Sequence, residues 1–471
     1  MLPTPENYAI YPSIVPADKP YEMTIVPKER AFLLFEGEKY EITIISVDSD
    51  EPWYLTPSSH KHISATASSG KLKFTFTFEG EQEHTIILSK AGKKLWEFGV
   101  FSLLPDLFGK VALKGDFHAH SYRSDGRRDP AALAGHYREQ GYDFFTLSDH
   151  NRAYPGDEID ETYKNIDTDL TRIFGEEVHS PSSVVHIVHV GGERSVAERY
   201  VNHREEYEKE LEGYLAKVPE GVPEQYRERY GKAMWATDKI HEAGGLAIFP
   251  HPFWKPSQSA VHNVTYAFAS LLLKSGMFDA YELVGAMTQG NCNLSVAFWA
   301  DLRAEGYKII PVGSSDVHSI ENGRDFPHKF TVCFAENNDQ GSICQAVRQG
   351  LCVAVEATGT EYDRHYRAYG NYRLVCYAQF LLKNYFPKLQ RIAEGEGVAM
   401  RAYAMGEAPA ALVELHADMV KDFRLRYFGR KAPLPPSAEI IDFEERARAR
   451  HLQGPTTKGS SIDSPNVTRQ I

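Results

Sequence analysis

The sequence predicts an α/β protein, with a parallel sheet or barrel in mid-chain and a small all-β unit before it. Three observations predict this. Residues 1–108 carry short alternating apolar runs, and from about residue 110 strands alternate with helices. Ligand-type residues then recur where those later strands end. At 471 residues the chain exceeds one ordinary core, so two or three structural units are expected.

The N-terminal runs lie at 21–26, 40–47, 71–78 and 84–88. In KLKFTFTF, residues 71–78, alternation puts Leu72, Phe74, Phe76 and Phe78 on one strand face. Turn residues such as Glu79-Gly80-Glu81 separate the runs, which is the pattern of a β-sandwich. Its plain role is to pack beside a catalytic unit; ligand binding is the sharper reading.

Further on, Asp129-Pro130 opens a helix with a capping carboxylate followed by proline at the first helical position. That helix runs to Gly141, and a short buried strand, 143–147, follows. A helix over 233–243 stops at Gly244-Gly245 before a strand at 246–249. A strand at 280–284, a helix near 293–305 and a strand at 308–312 continue the rhythm. Residues 191–232 interrupt it with a charged helical insertion, read as a solvated face or, more sharply, as a lid. Residues 360–430, rich in Tyr, Arg and Ala, read as a helical appendage, and the last forty or so as a polar tail with a disordered end. The expected units are therefore 1–108, 109–358, 359–430 and 431–471.

Composition bounds the function. Hydrophobic residues make up 42% and charged residues 25%, a soluble globular balance. A formal charge of -12 disfavours a protein that mainly grips nucleic-acid backbones or anionic membranes. Cys292, Cys333, Cys344, Cys352 and Cys376 form no CxxC pair and read as free thiols in a reducing compartment. The N-terminus has neither a basic n-region nor an apolar h-region, so no signal peptide is read. No run approaches the roughly 18 apolar residues of a membrane span. Cytoplasmic localisation is the expectation.

Chemistry concentrates in five short segments at strand ends. They are Asp116-Phe117-His118-Ala119-His120, Ser124-Asp125-Gly126, Ser148-Asp149-His150-Asn151, Pro250-His251-Pro252 and Ser315-Asp316-Val317-His318. On an extended segment His118 and His120 point to one side, so both imidazoles reach one ion. Imidazole with carboxylate suits Zn, Mn or Fe, and the candidates exceed one four-coordinate site, which argues for a multinuclear centre. Asp116 and Asp149 read as partners that orient neighbouring ligands. Glu282 ends a strand without needing to touch metal, and His136, His203, His241 and His262 read as ordinary. Arg127-Arg128 either grip an anionic substrate group or are surface charge.

The order DxHxH, SDG, SDHN, GxEV, HP and GSSDxH resembles the PHP (polymerase and histidinol phosphatase) superfamily over about residues 111–356. The resemblance implies a distorted (β/α)7 TIM-like barrel with three divalent ions, Mn, Zn or Fe, over the strands' C-terminal ends. One ion would take His118, His120 and Asp316, a second His251 and a further histidine, a third Asp125, His150 and His318. The GxEV match picks Glu177 as a bridge, with Glu176 as fallback because adjacent strand residues face opposite ways. The further histidine lies on 184–190, where His186 is chosen over His189; His179 reads as a loop histidine. The implied activity is hydrolysis of a phosphate mono- or diester of a small molecule by metal-activated hydroxide. His251 or His318 would shuttle a proton if free of metal, and Arg127 would hold the anion. The alternatives are carboxylic or carbamate ester hydrolysis on the same centre, and a non-catalytic binding scaffold. A nuclease role fits poorly with the acidic charge.

Overall fold

The computed structural model describes residues 6–48, 60–256, 259–322, 326–360 and 363–453. The N-terminal runs form two sheets around one apolar core. One holds Tyr8–Tyr11, Pro20–Pro27 and Leu72–Thr77; the other, in spatial order, Ile14–Pro16, Lys93–Leu103, Glu83–Lys90, Lys39–Ser46 and Lys61–Thr66. Leu72, Phe74 and Phe78 are buried between them with Ile25, Ile42, Ile86 and Val100, as the alternation requires. The core also holds one buried imidazole, His84, hydrogen-bonded to Ser46 and Ser102.

The remainder is mixed α/β. A six-stranded sheet runs, in order, Thr171–Ile173, Phe144–Thr146, Val111–Asp116, Lys329–Ala335, Cys352–Thr360 and Asp363–Tyr369. A five-stranded sheet runs Gly175–Val178, Ile187–Val190, Leu246–Phe249, Ala280–Val284 and Pro311–Gly313. The expected parallel pairing holds for 111–116 with 144–146 and 171–173, and for 246–249 with 280–284 and 311–313. It fails at Ile187–Val190, antiparallel to both neighbours, and at Lys329–Ala335. For 187–190 the reason is the connection: no crossover helix separates it from 175–178, and a parallel neighbour needs one. The sheets meet through a parallel bridge between His150 and Glu177 and through Thr331, whose hydroxyl donates to Gly313 O at 2.7 Å.

Two readings of the C-terminal region need correction. The stretch after 359 is not helical at once, because Asp363–Tyr369 pairs antiparallel with Cys352–Thr360. Helices Tyr372–Asn384, Phe386–Ala404 and Ala410–Tyr427 follow. They dock through buried ion pairs, Arg138 on Glu396 at 2.7 Å and Arg424 on Asp143 at 2.6 Å. The polar tail also contains a helix, Ala438–Gln453. Its alanines, glutamates and arginines favour helix, Asp442 pairs with Arg446 one turn on, and Arg448 lies over the Phe35 ring of the sandwich. Residues 454–471 lie outside the described residues.

The insertion forms helices Glu198–Asn202, Arg204–Leu215 and Glu224–Glu242. Its charges face outward apart from the buried Lys232, which pairs with Glu228, while Tyr200, Tyr207 and Trp235 are buried against one another. No helix among the described residues is long and apolar enough to cross a membrane.

Candidate metal centre

Strand Val111–Asp116 continues extended, so successive side chains alternate. Phe117 and Ala119 enter the apolar core while His118 and His120 face the opposite way, both fully buried. Asp116 fixes this geometry through the backbone, accepting from His118 N at 3.1 Å, Ser315 N at 3.0 Å and the Tyr137 hydroxyl at 2.8 Å. Burial pushes its carboxyl up to about 6 against those donors. Asp149 shapes the turn that carries Asp125, accepting from Ser121 N and from the hydroxyls of Ser121 and Ser124. Neither aspartate reaches an imidazole. That contact belongs to Glu282, whose Oε2 is 2.9 Å from His118 Nδ1.

Glu177 is the organising residue. Its Oε2 lies 2.8 Å from His150 Nδ1, 3.4 Å from His118 Nε2 and 3.5 Å from His120 Nε2. Its Oε1 lies 2.9 Å from His186 Nδ1, 3.3 Å from His179 Nε2 and 3.4 Å from His251 Nε2. Three imidazoles thus surround each oxygen of one buried carboxylate. Glu176 faces the other way, accepting from Ser195 Oγ and Val196 N, with His189 Nδ1 at 3.2 Å.

Two aspartates complete the arrangement. Asp316 Oδ1 is 2.9 Å from His120 Nε2 and 3.3 Å from His118 Nε2. On the exposed flank Asp125 Oδ2 is 3.2 Å from His150 Nε2 and 3.3 Å from His318 Nε2. His118, His120, His150, Glu177, His186, His251 and Asp316 therefore converge, and Asp125 with His318 extends the cluster toward solvent. Arg127 stands at the rim, exposed, its backbone N–H donating to His318 O at 2.9 Å. Arg128 pairs with Glu321 at 2.5 Å. His179, a loop histidine by sequence, is brought into the cluster by the fold.

Backbone conformation adds a second signal. His251 and Asp316 have φ of +27° and +48°, and Asn151, beside His150, has +56°. Non-glycine residues are rare there, and such strain gathers at functional sites.

The electrostatics state one demand. Burial raises Glu177 and Asp316, yet the surrounding histidines outweigh it and hold both carboxyls well below their usual range. Burial lowers His150, but Asp125 and Glu177 carry it up to about 10; burial, with His179 and His251 adding to it, takes His186 down to about 4 against the pull of Glu177. The carboxylates require positive charge among them, which protonated imidazoles or cations can supply.

Hydrogen bonding favours cations as that source. His118 Nε2, both ring nitrogens of His120, His150 Nδ1, His179 Nε2, His251 Nδ1 and Asp316 Oδ1 are buried without a hydrogen-bond partner. Orphaned polar atoms are costly and rare, and a cluster of them fits metal donors. Overlapping sets of three or four such residues bring their donor atoms within 4.8 Å of one another. The residues present fit divalent cations.

No family model and no curated protein matches the chain. Several solved structures align with parts of the chain. A two-domain protein from Bacteroides vulgatus, described as containing a PHP-like metal-dependent phosphoesterase, aligns at 19% identity and TM-score 0.38, over 54% of this chain and 67% of that one. A protein described as a metal-dependent phosphoesterase from Bifidobacterium adolescentis aligns at 17% and 0.31, over 43% and 87%. An amidohydrolase from Chromobacterium violaceum with bound sulfate aligns at 16% and 0.31, over 45% and 90%.

Proposed function

We propose that this chain is a metal-dependent hydrolase of the PHP superfamily that cleaves a phosphate mono- or diester of a small molecule. The observation that carries the reading is Glu177, with three imidazoles around each oxygen and most of the facing ring nitrogens unpartnered. In this reading the two α/β sheets are halves of a distorted barrel, and the site lies over its strand ends.

His118, His120 and Asp316 would hold one ion, His186 and His251 a second, and Asp125, His150 and His318 a third, with Glu177 bridging. Bound divalent ions supply Lewis acidity and a nucleophile from water at neutral pH. The chain's own residues set the stage for that chemistry. Glu282 accepts the Nδ1 proton of His118, which turns the Nε2 lone pair toward Glu177 and Asp316. As donors, His251 and His318 keep their lone pairs engaged, which leaves proton transfer to the open, Asp125 side. Arg127 adds positive charge at that rim, beside His318, where an anionic substrate group would enter, while Arg128 is paired with Glu321. A positive charge there favours phosphate over a carboxylic ester.

The test is a substrate panel on the metal-reconstituted protein: p-nitrophenyl phosphate, bis-p-nitrophenyl phosphate and p-nitrophenyl acetate with Mn or Zn. Turnover of a phosphate ester is expected. Turnover of the acetate alone would move the protein to carboxylic esters, and a protein that binds no metal and turns over nothing would be a scaffold.

A further inference from the structure

The PHP-like motifs account for eight donors and the strand after GxEV for a ninth, His186, which leaves out His179, two residues beyond Glu177. Yet His179 Nε2 sits 3.3 Å from Glu177 Oε1, as near as His251 and on the same oxygen. That nitrogen is buried and has no hydrogen-bond partner. Its ring stacks on His186 with centroids 3.6 Å apart and lies 4.4 Å from His150.

The placement of His179 is also built. Its backbone N–H donates to Asn151 Oδ1 at 2.8 Å, and the Asn151 N–H donates to Glu177 O at 2.9 Å. Asn151 holds this double bond from the left-handed region, φ +56°, where an asparagine is tolerated and most residues are not. The same Oδ1 accepts from the Tyr200 hydroxyl at 2.5 Å. Tyr200 is buried on helix Glu198–Asn202 of the insertion. That helix is itself tied down by Glu176, which accepts from Ser195 Oγ, Val196 N and Ala197 N. A chain of contacts therefore runs from the insertion through Tyr200 and Asn151 to His179 and Glu177.

From these contacts we propose that His179 is a tenth metal donor, set with His150 and Glu177, whose donor atoms and its own all lie within 4.8 Å of one another, and that Tyr200 positions it. The inference rests on the metal-hydrolase reading above. It assigns the insertion a role in the metal centre in place of a loose lid.

The test is metal content and affinity, read without turnover. Full-length wild type, His179→Ala, His179→Gln, Tyr200→Phe and His186→Ala are loaded with Zn, dialysed and assayed by elemental analysis and chelator competition. Co(II) absorption reports the coordination of the same variants. Wild type should retain Zn, and both His179 variants should weaken one ion at least about 10-fold, in the same class as His186→Ala. Tyr200→Phe should weaken that ion by less, with an unchanged circular dichroism spectrum, because only the anchor of Asn151 is lost. Equal Zn retention and an unaltered Co(II) spectrum in the His179 variants, while His186→Ala loses an ion, would overturn this inference alone. A wild type that retains no Zn, Mn or Fe would overturn the hydrolase reading and this inference with it.

Discussion

The sandwich and the α/β region each bury histidine, and they solve the problem in opposite ways. His84 in the sandwich core has hydroxyl partners only. Ser102 Oγ donates to Gly80 O at 2.6 Å, so it accepts from His84 Nε2–H at 2.9 Å, and His84 Nδ1 is left to accept from Ser46 Oγ. Every polar atom of that ring is satisfied by the protein in its neutral form. At the candidate centre the imidazoles face carboxylates, and His118 Nε2, both nitrogens of His120, His150 Nδ1, His179 Nε2 and His251 Nδ1 are buried without a hydrogen-bond partner. Burial alone therefore does not mark a histidine as functional. An incomplete hydrogen-bond account beside an acid does.

The contrast breaks hardest at Glu177. Glu177→Gln keeps the size and removes the charge shared by six imidazoles, so kcat/KM on the preferred ester should fall by at least about 10³-fold, with loss of bound metal. Elemental analysis beside steady-state kinetics checks both. Unchanged metal content would mean that the carboxylate does not organise the centre. Metal removal is next in size. An ion present at about 1,000 times its Kd stabilises the fold by about 4 kcal/mol, so a strong chelator should lower Tm by several degrees. The same chelator should leave Tm of Glu177→Gln nearly unmoved, because little metal remains to be removed.

Glu282 sharpens the comparison, because it gives His118 the kind of fixed partner that Ser102 gives His84. Glu282→Gln can reverse the hydrogen bond and present the wrong His118 tautomer, and loss of such a supporting partner costs about 10- to 100-fold in metal affinity. Chelator competition measures it, and an affinity within two-fold of wild type would remove Glu282 from the centre.

These residues also show what could be read from sequence. Strands 246–249 and 280–284 were legible because Gly244-Gly245 ends a helix before the first and apolar runs of strand length define both. The side-by-side placement of His118 and His120 follows from alternation on an extended segment. Strand direction was not legible: the run ending at Val190 reads the same whether parallel or antiparallel. Nor was Asp363–Tyr369, whose Arg and Tyr content resembles a solvated helix until its pairing partner is known. Glu282 and His179 escaped for a related reason. Glu282 matters through a ring 164 positions away in sequence, and His179 through an asparagine and a tyrosine on separate segments. The one local hint was the histidine directly after the GxEV pattern.

The smallest expected effect lies in the sandwich. Burial takes the His84 pKa down from 6.5 to about 4. Between those values the unfolded chain binds a proton that the folded chain refuses, so stability rises with pH across the window. The contribution of a neutral His84 is complete above about pH 6.5 and is lost as pH falls toward 4. At pH 5 the loss should be about 1 to 2 kcal/mol, since each unit of displacement is worth about 1.4 kcal/mol. Carboxylates elsewhere titrate in the same range, so the measurement is a difference. Urea unfolding of wild type and of His84→Gln at pH 7 and pH 5, both in chelator, isolates the histidine. Glutamine retains a donor and an acceptor for Ser102 and Ser46 but cannot take up the proton. The stability gap between the two proteins should therefore narrow at pH 5. A gap that is the same at both pH values would mean that His84 does not resist protonation, and the satisfied imidazole would no longer stand apart from those at the metal centre.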